Sequence, residues 1–381
     1  MLNSLEIRHF RKIKQLEIQN LSRINLITGK NNTGKSTMLE AISVYAFKGH
    51  IHNLLALLRD RGELYGGMSV LDEHEKKRKN ARNHTFAKNL HRTLVSIFCK
   101  DGEDPTKKEI VIGELNSPEK RLTFKLVRFI YQFRDFNGPQ GNFKSSIPVI
   151  VPDTYANNDY LLGASFTFNK IPKILELNEN VYNLPYENYL TGYEETSKFI
   201  HVRDISDDEN NAIFWDNIVL TDKEDFVIAA LKIIEPNIQR LNFVLEEPDS
   251  ENRIPVVRLQ DGTIQSLRSM GDGINRILTI ILALVNCDQG YLMVDEIETG
   301  LHYTVLFVLW KVIYELATKL NVQVFATTHS TDCIRCYGDF LKEIEVEGNL
   351  IRLDNIGDGI KATLYPVPEI LIAKEHQIEV R

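Results

Sequence analysis

The eight residues Gly29-Lys30-Asn31-Asn32-Thr33-Gly34-Lys35-Ser36 constrain this chain more than any other feature. They match G-x-x-x-x-G-K-S in full, a loop whose glycines let successive backbone N–H groups turn inward around a phosphate. In that pattern the lysine neutralises β/γ oxygens and the serine hydroxyl is a Mg²⁺ ligand. The flanks agree, since the apolar run Ile24, Leu26, Ile27 leads in as a strand and Lys35 to Phe47 leads out with helical periodicity. The motif therefore predicts ATP held by Gly29, Asn31, Asn32, Thr33, Gly34, Lys35, Ser36 and Thr37, with Mg²⁺ on Ser36.

The second half of such a site is expected where a buried strand ends in acids. Tyr291-Leu292-Met293-Val294 is apolar and runs directly into Asp295-Glu296. Alone, this would be an ordinary strand running into a solvated turn. Beside a complete phosphate loop, Asp295 suits the Mg²⁺ shell and Glu296 suits the general base that polarises the attacking water. A further apolar strand, Val322 to Ala326, precedes Thr327-Thr328-His329-Ser330, which places His329 where it can hydrogen-bond a γ-phosphate or the lytic water. The catalytic set expected is thus Lys35, Glu296 and His329. Between the two halves, Leu267-Arg268-Ser269-Met270-Gly271-Asp272-Gly273 sits immediately before a predicted helix. Small residues at a helix N-terminus form a second anion cradle. One ATP needs only one cradle from its own chain, so Ser269, Gly271 and Gly273 make sense as residues that cover a nucleotide held by a neighbour.

Other features narrow the class. The chain has 381 residues, with 43% hydrophobic and 25% charged, values of a globular chain with a sizeable core. The net charge of −7 argues against a surface that coats nucleic acid throughout, although binding follows local charge. One local candidate is the basic run Lys76, Lys77, Arg78, Lys79, Arg82, Lys88 and Arg92; a solvated helical face is its plainer reading. The longest apolar stretch, Ile277 to Val285, is too short for a membrane span, and the N-terminus has no signal-peptide pattern. Cys99, Cys287, Cys333 and Cys336 make no disulfide framework, and the lone C-x-x-C reads as two thiols one helical turn apart. A cytoplasmic protein is expected.

Along the chain, strands are predicted at Leu5 to Arg8, Lys14 to Ile18 and Arg23 to Thr28, and a meander at Leu94 to Lys100, Glu109 to Glu114 and Arg121 to Tyr131. Phe136 to Asn158, rich in Gly, Pro, Asn and Asp, reads as loop. Phe199 to Arg203 reads as a strand, and Ser206 to Asn217 and Thr221 to Ile234 as helices, the second with Thr221 as N-cap and Glu224 three residues on. From Arg253 the pattern is α/β: strand Arg253 to Leu259, helix Asp272 to Val285, strand Tyr291 to Val294, helix Thr299 to Thr318, strand Val322 to Ala326 and a helix from Ser330. Glu343 to Arg381 gives short strands and a last helix.

The order of these motifs resembles a known group. A long interval between Ser36 and Tyr291, followed in order by a Gly-rich signature, an acidic strand and a strand-His, resembles the ABC ATPase superfamily in its SMC/RecF/OLD branch, whereas the interval is much shorter in AAA+ and RecA-like motors. The chain looks like the small stand-alone OLD/RecF-like ATPases of bacteria and archaea, described as abortive-infection or toxin-type AAA domains. The likeness runs from Leu5-Glu6-Ile7-Arg8-His9-Phe10-Arg11 through Trp215-Asp216-Asn217-Ile218 and Ser269 to Gly273, and on to Asp295-Glu296-Ile297-Glu298-Thr299-Gly300-Leu301-His302 and Thr327 to Ser330. Asp272-Gly273 stands where transporters have Gly-Gln.

That resemblance implies an α/β fold, an ABC/SMC-type P-loop ATPase head with an N-terminal antiparallel β portion, a central mixed sheet and a helical insertion. It would be one head over 1–381, with an inserted region at 50–235 and a C-terminal half at 236–381 carrying the signature, Walker B and switch His. It implies that Ser269 and Gly271 reach a partner's γ-phosphate and that Glu298 to His302 form a D-loop at a dimer seam. Gln132 is one candidate for the Q-loop glutamine. Room for a C-terminal Toprim nuclease and a long heptad region are both lacking. The expected function is Mg²⁺-dependent ATP hydrolysis by a homodimer or higher homo-oligomer, gating a separate nuclease or toxin in a prokaryotic defence or toxin–antitoxin-like system. A RecF-like repair clamp binding DNA through the basic run, a nucleotide switch with little turnover, and an AAA+ hexamer stay open as alternatives.

Overall fold

Apolar periodicity sets the order of elements. Leu5–Phe10 and Ile13–Ile18 form β1 and β2, Ile24–Thr28 forms β3, and Lys35–Ala46 forms α1. Ile51–Asp60 and Lys79–Val95 are α2 and α3, before β4 (Ile110–Gly113), β5 (Arg121–Gly138), β6 (Gly141–Val151), β7 (Leu161–Phe168) and β8 (Ile171–Glu176). Next come β9 (Phe199–Val202), α4 (Asp208–Asp216), α5 (Asp222–Ile234), β10 (Ile238–Leu245), β11 (Arg253–Leu259) and β12 (Ile264–Ser266). The chain then runs through α6 (Asp272–Asn286), β13 (Tyr291–Val294), α7 (Tyr303–Lys319) and β14 (Gln323–Thr327). It closes with α8 (Thr331–Ile344), β15 (Asn349–Ile356), β16 (Gly359–Tyr365) and α9 (Val367–Glu375). The computed structural model describes residues 1–64, 79–138, 141–155, 159–178, 181, 199–202, 208–247, 252–357 and 359–375. Two compact units share the chain. One comprises Met1–Ser4, Ile18–Leu39 and Ser197–Arg381, the other Leu5–Glu17 and Glu40–Thr196.

The first unit is built on a six-stranded sheet in the order β16-β15-β3-β14-β13-β9. All its pairings are parallel except β15 with β16. Every residue of β3, β13 and β14 is buried, the near-continuous apolar pattern of parallel strands covered on both faces. A three-stranded antiparallel sheet, β10-β11-β12, belongs to the same unit. Helix α6 is buried at every position from Ile274 to Val285, so it is a central rather than a surface helix. Around it pack Trp215, Leu267, Leu292, Leu309, Trp310 and Tyr337, among many others. The Tyr337 hydroxyl donates to the Ile24 carbonyl at 3.1 Å, which satisfies a phenol buried in apolar surroundings.

The second unit holds a seven-stranded sheet in the order β2-β1-β4-β5-β7-β8, with β6 paired to β5. Its buried Glu6 carboxylate is paired with Arg121 at 2.7 Å and with Arg8. A second buried network joins Arg11 to Glu40 at 3.0 Å and to Glu63 at 2.9 Å, with Arg61 on Glu40 at 2.6 Å. The charges in both networks are paired with opposite charges, as burial requires.

Several elements depart from the sequence-based expectation. Most of Phe136 to Asn158 is strand rather than loop: Phe136–Gly138 completes β5, and β6 runs to Val151, paired from Arg128↔Val151 to Gly138↔Gly141, while Pro152 to Tyr155 turns as expected and 139–140 and 156–158 lie outside the described residues. Its Asn, Ser and Lys residues have low strand propensity, but cross-strand pairing overrides such preferences. Pro148 is tolerated because β6 is an edge strand. Leu94 to Lys100 is not a strand either; α3 continues to Val95, and only Phe98 makes a bridge, to Phe10. Leu90 and Leu94 are four apart and buried on the helix, a helical period that the apolar run after it obscured. Helix α7 starts at Tyr303 rather than Thr299, because Thr299–Leu301 turn back onto the carbonyls of Glu296 and Glu298. Strands β7, β8 and β10 have no predicted counterpart.

Other expectations hold. Thr221 caps α5 by accepting the Lys223 N–H, while Glu224 accepts the N–H of Leu220, one residue outside the usual reciprocal pair. Cys333 and Cys336 lie one turn apart on α8 as free thiols, and burial pushes the Cys333 thiol above its ordinary range. Of the basic run, Lys76, Lys77 and Arg78 lie outside the described residues; Lys79, Arg82, Lys88 and Arg92 fall on α3, where Lys88 and Arg92 are exposed. Gln132 is exposed on β5. Among the described residues, no helix is long and apolar enough to cross a membrane.

Because α6 is enclosed by the first unit's core, truncating it should be felt globally. Ile281→Ala is expected to lower the unfolding free energy by about 2–5 kcal/mol, read as a fall in the denaturant midpoint at unchanged slope.

Candidate active site

Three parallel strands bring the site together. Strand β3 pairs with β14 through Leu26↔Ala326 and Ile27↔Thr327, and β14 pairs with β13 through Val294↔Ala326. Their C-terminal ends therefore lie side by side on one edge of the sheet. Strand β3 leads into Gly29, β13 into Asp295-Glu296, and β14 into Thr328-His329. This is the edge at which open parallel sheets bind ligands.

The loop after β3 is a closed turn. Gly29 has φ of 143°, and a Cβ there would stand 2.3 Å from the Leu353 carbonyl oxygen, so no side chain fits. Gly34 has φ of 93° and opens α1. Thr33 Oγ1 donates to the Lys30 carbonyl at 2.9 Å. Lys35 Nζ reaches back across the loop to the carbonyls of Gly29 (2.8 Å) and Lys30 (2.9 Å). Burial pushes the Lys35 ammonium below its ordinary value, and the carboxylates of Asp295, Glu296 and Glu298 push it back up. Three acids around one buried lysine make a site in which an arriving anion meets a cation already placed. Asn31 and Asn32 are exposed at the loop's tip, Thr33 and Thr37 are buried, and Ser36 is half-buried.

The acids are positioned through their backbone. Asp295 N–H donates to the Val202 carbonyl at 2.9 Å, and the Thr327 hydroxyl donates to Asp295 Oδ1. The same hydroxyl accepts the Glu296 N–H at 2.8 Å. Glu296 itself has φ of 46°, the left-handed region that a residue with a side chain avoids unless held there. Its exposed carboxylate lies 3.7 Å from His329 Nε2. Glu298 Oε1 accepts the N–H groups of His329 (2.8 Å) and Ser330 (3.0 Å), fixing the turn that carries the histidine at the start of α8. An acid at that helix end also meets its positive dipole.

The turn before α6 is open to solvent. Ser269 and Gly271 are exposed, Gly271 has φ of 108°, and no side chain caps the helix. Ser269 Oγ donates to the Ser266 carbonyl at 2.7 Å. Arg268 is held to the side by Asp208 and by Glu246 at 3.2 Å. Gly273 lies against the Glu298–His302 segment, its Cβ position 3.2 Å from the Gly300 carbonyl. The structure thus joins Lys35 with Asp295, Glu296, Glu298 and His329. Ser269, Gly271 and Gly273 form a separate exposed turn in the same unit.

The donor set fits a nucleotide with Mg²⁺. Among the described residues no three His, Cys, Asp or Glu side chains converge as a metal cage. Ser36 and Asp295 supply hard oxygens, the usual protein share for an ion completed by phosphate oxygens and water. Thr327, Arg276 and the holding role of Glu298 are not foreseen by the motifs. Arg276 leaves one legible signal: it is the single charged residue inside the apolar run Ile274 to Val285.

A model of the AAA ATPase domain family matches residues 1–334. An ATP/GTP phosphatase of Helicobacter pylori is 21% identical over 370 residues, covering 90% of this chain and 89% of that protein. An uncharacterized protein of Methanocaldococcus jannaschii is 27% identical over 192 residues, 49% of this chain and 80% of that protein. Among solved structures, an SMC head bound to the C-winged helix domain of ScpA aligns at a TM-score of 0.49 with 12% identity, over 96% of this chain and 98% of that one.

Gly29 and Gly262 give a matched test, since both have positive φ but only Gly29 faces backbone where a Cβ would go. Gly29→Ala is expected to weaken nucleotide binding by more than about tenfold, whereas Gly262→Ala should cost about 1–2 kcal/mol of stability and leave binding intact. Titration with a fluorescent ATP analogue, alongside denaturant unfolding, reads both.

Proposed function

This chain belongs to the AAA ATPase domain family, and we propose that two copies of it hydrolyse Mg²⁺-ATP at composite sites, each copy covering the nucleotide held by the other. The observation that carries the reading is the shared edge of β3, β13 and β14, where Lys35, Asp295, Glu296 and His329 meet. Lys35 exchanges the Gly29 and Lys30 carbonyls for β/γ-phosphate oxygens, and the N–H groups of the loop wrap them. Ser36 and Asp295 would hold Mg²⁺, which would neutralise charge on the phosphates. Glu296 takes the proton of the attacking water, and His329, at 3.7 Å from it, orients that water or the γ-phosphate. A base exposed to solvent in one chain needs a cover that excludes bulk water. The uncapped turn at Ser269–Gly273 and the adjacent Glu298–His302 segment, exposed and in contact at Gly273 and Gly300, suit that cover when a second copy presents them.

The output of the cycle is assigned to a separate effector, a nuclease or toxin of a prokaryotic defence or toxin–antitoxin-like system. Support for this part comes from the motif order shared with the OLD/RecF-like ATPases. Cleavage of nucleic acid by the purified protein alone, dependent on ATP and lost in Lys35→Ala, would remove the separate effector.

The engine itself is tested with Glu296→Gln. This variant should bind ATP within about threefold of the parent, lose turnover by about a hundredfold or more, and double its mass in solution with Mg²⁺-ATP. Retained turnover, or a mass unchanged by ATP, would contradict the proposal.

A further inference from the structure

The most buried charge in the first unit, among the described residues, is one that the proposed chemistry does not use. Arg276, fully buried on α6, sits one helical turn after Asp272, the helix's first residue. A guanidinium is costly to take out of water, and this position could be filled by an apolar side chain as its neighbours are. Its Nη2 donates to the Asp295 carbonyl at 2.7 Å and to the Glu296 carbonyl at 3.3 Å. Arg276 therefore holds the backbone of the two carboxylate residues.

That grip meets a second one from the opposite side. The Glu296 N–H donates to Thr327 Oγ1 at 2.8 Å, and its carbonyl accepts from Arg276 Nη2 at 3.3 Å as well as from the Thr299 N–H at 3.0 Å. Both peptide groups of a residue at φ of 46° are thus fixed by side chains from two other elements, β14 and α6. Strained backbone persists where its surroundings over-determine it. Loss of either side chain loosens this hold, so that Glu296 can relax towards ordinary φ and swing its carboxylate away from His329.

We propose that Arg276 is a positioning residue for hydrolysis: it sets the backbone of Glu296 and conveys to it the engagement of the turn at the start of α6. The inference rests on the reading of Glu296 as the base. Gly271 and Arg276 belong to one rigid helical start, so a shift of the turn on meeting a phosphate moves the guanidinium with it.

The test compares Arg276→Lys, Thr327→Val, Thr327→Ser, Glu296→Gln and the double variant Arg276→Lys/Glu296→Gln in the full chain, with Mg²⁺-ATP. Arg276→Lys keeps the charge but replaces the planar guanidinium, whose Nη2 meets both carbonyls, by a shorter and differently placed ammonium. It should lower kcat by about ten- to a hundredfold while ATP affinity stays within about twofold. Thr327→Val, which frees the other end of Glu296, should do the same, and Thr327→Ser should restore the rate. Thr327→Val also serves if Arg276→Lys does not fold. In single-turnover assays, Arg276→Lys should add no further loss to Glu296→Gln, because both act through one group.

An unchanged kcat in folded Arg276→Lys, with turnover lost in Glu296→Gln, overturns this inference alone. It is overturned equally if Arg276→Lys lowers the residual rate of Glu296→Gln by the factor it takes from the parent. Full turnover in Glu296→Gln removes the base, and this inference with it.

Discussion

The parallel pairing of β3, β14 and β13 is the constraint on which the site depends. Each of these strands is short and buried along its whole length, so each has one permitted register against its neighbours. The pairs Ile27↔Thr327 and Val294↔Ala326 align three chain segments that are far apart in sequence. The phosphate loop, the two acids and the histidine are delivered to one edge by backbone hydrogen bonds. Helix α6 packs among the core that fixes those strands, and through Arg276 it also touches the acids.

The electrostatics follow from that convergence. Lys35 loses hydration, which pushes its ammonium down, and Asp295, Glu296 and Glu298 supply the opposing charge. Glu298 gives one oxygen to the two N–H groups that start the His329 turn, so this acid and the histidine form one connected piece. Polar groups arranged before the ligand arrives need little rearrangement when charge develops. The same arrangement places strain at Glu296, where Thr327 and Arg276 offset it.

Chemistry was more legible in the sequence than architecture. Gly29 to Ser36, Asp295-Glu296 and His329 could be read because their spacing and flanking strands carry a mechanism, and the structure sets them together. Helices α5, α6 and α8 and strands β11, β13 and β14 were readable from caps and periodicity. The β5–β6 hairpin was not, because Asn137, Asn142, Ser145 and Ser146 look like loop until a partner strand supplies their hydrogen bonds. The run from Leu94 misleads for the opposite reason, since a short apolar stretch fits two periods and here its first residues end a helix. The work of Thr327 and Arg276 lies in contacts to the backbone of residues distant in sequence, which no local pattern reports.

The composite site is tested most directly by mixing two inactive variants. Lys35→Ala destroys the cradle that holds ATP, and Ser269→Arg blocks the turn that covers it. In a mixed dimer, one site pairs an intact cradle with an intact turn. The account predicts that each variant alone has almost no turnover and that mixing restores a substantial fraction of it. Mixed dimers that form yet remain as inactive as their parents would contradict the sharing of each nucleotide between two chains.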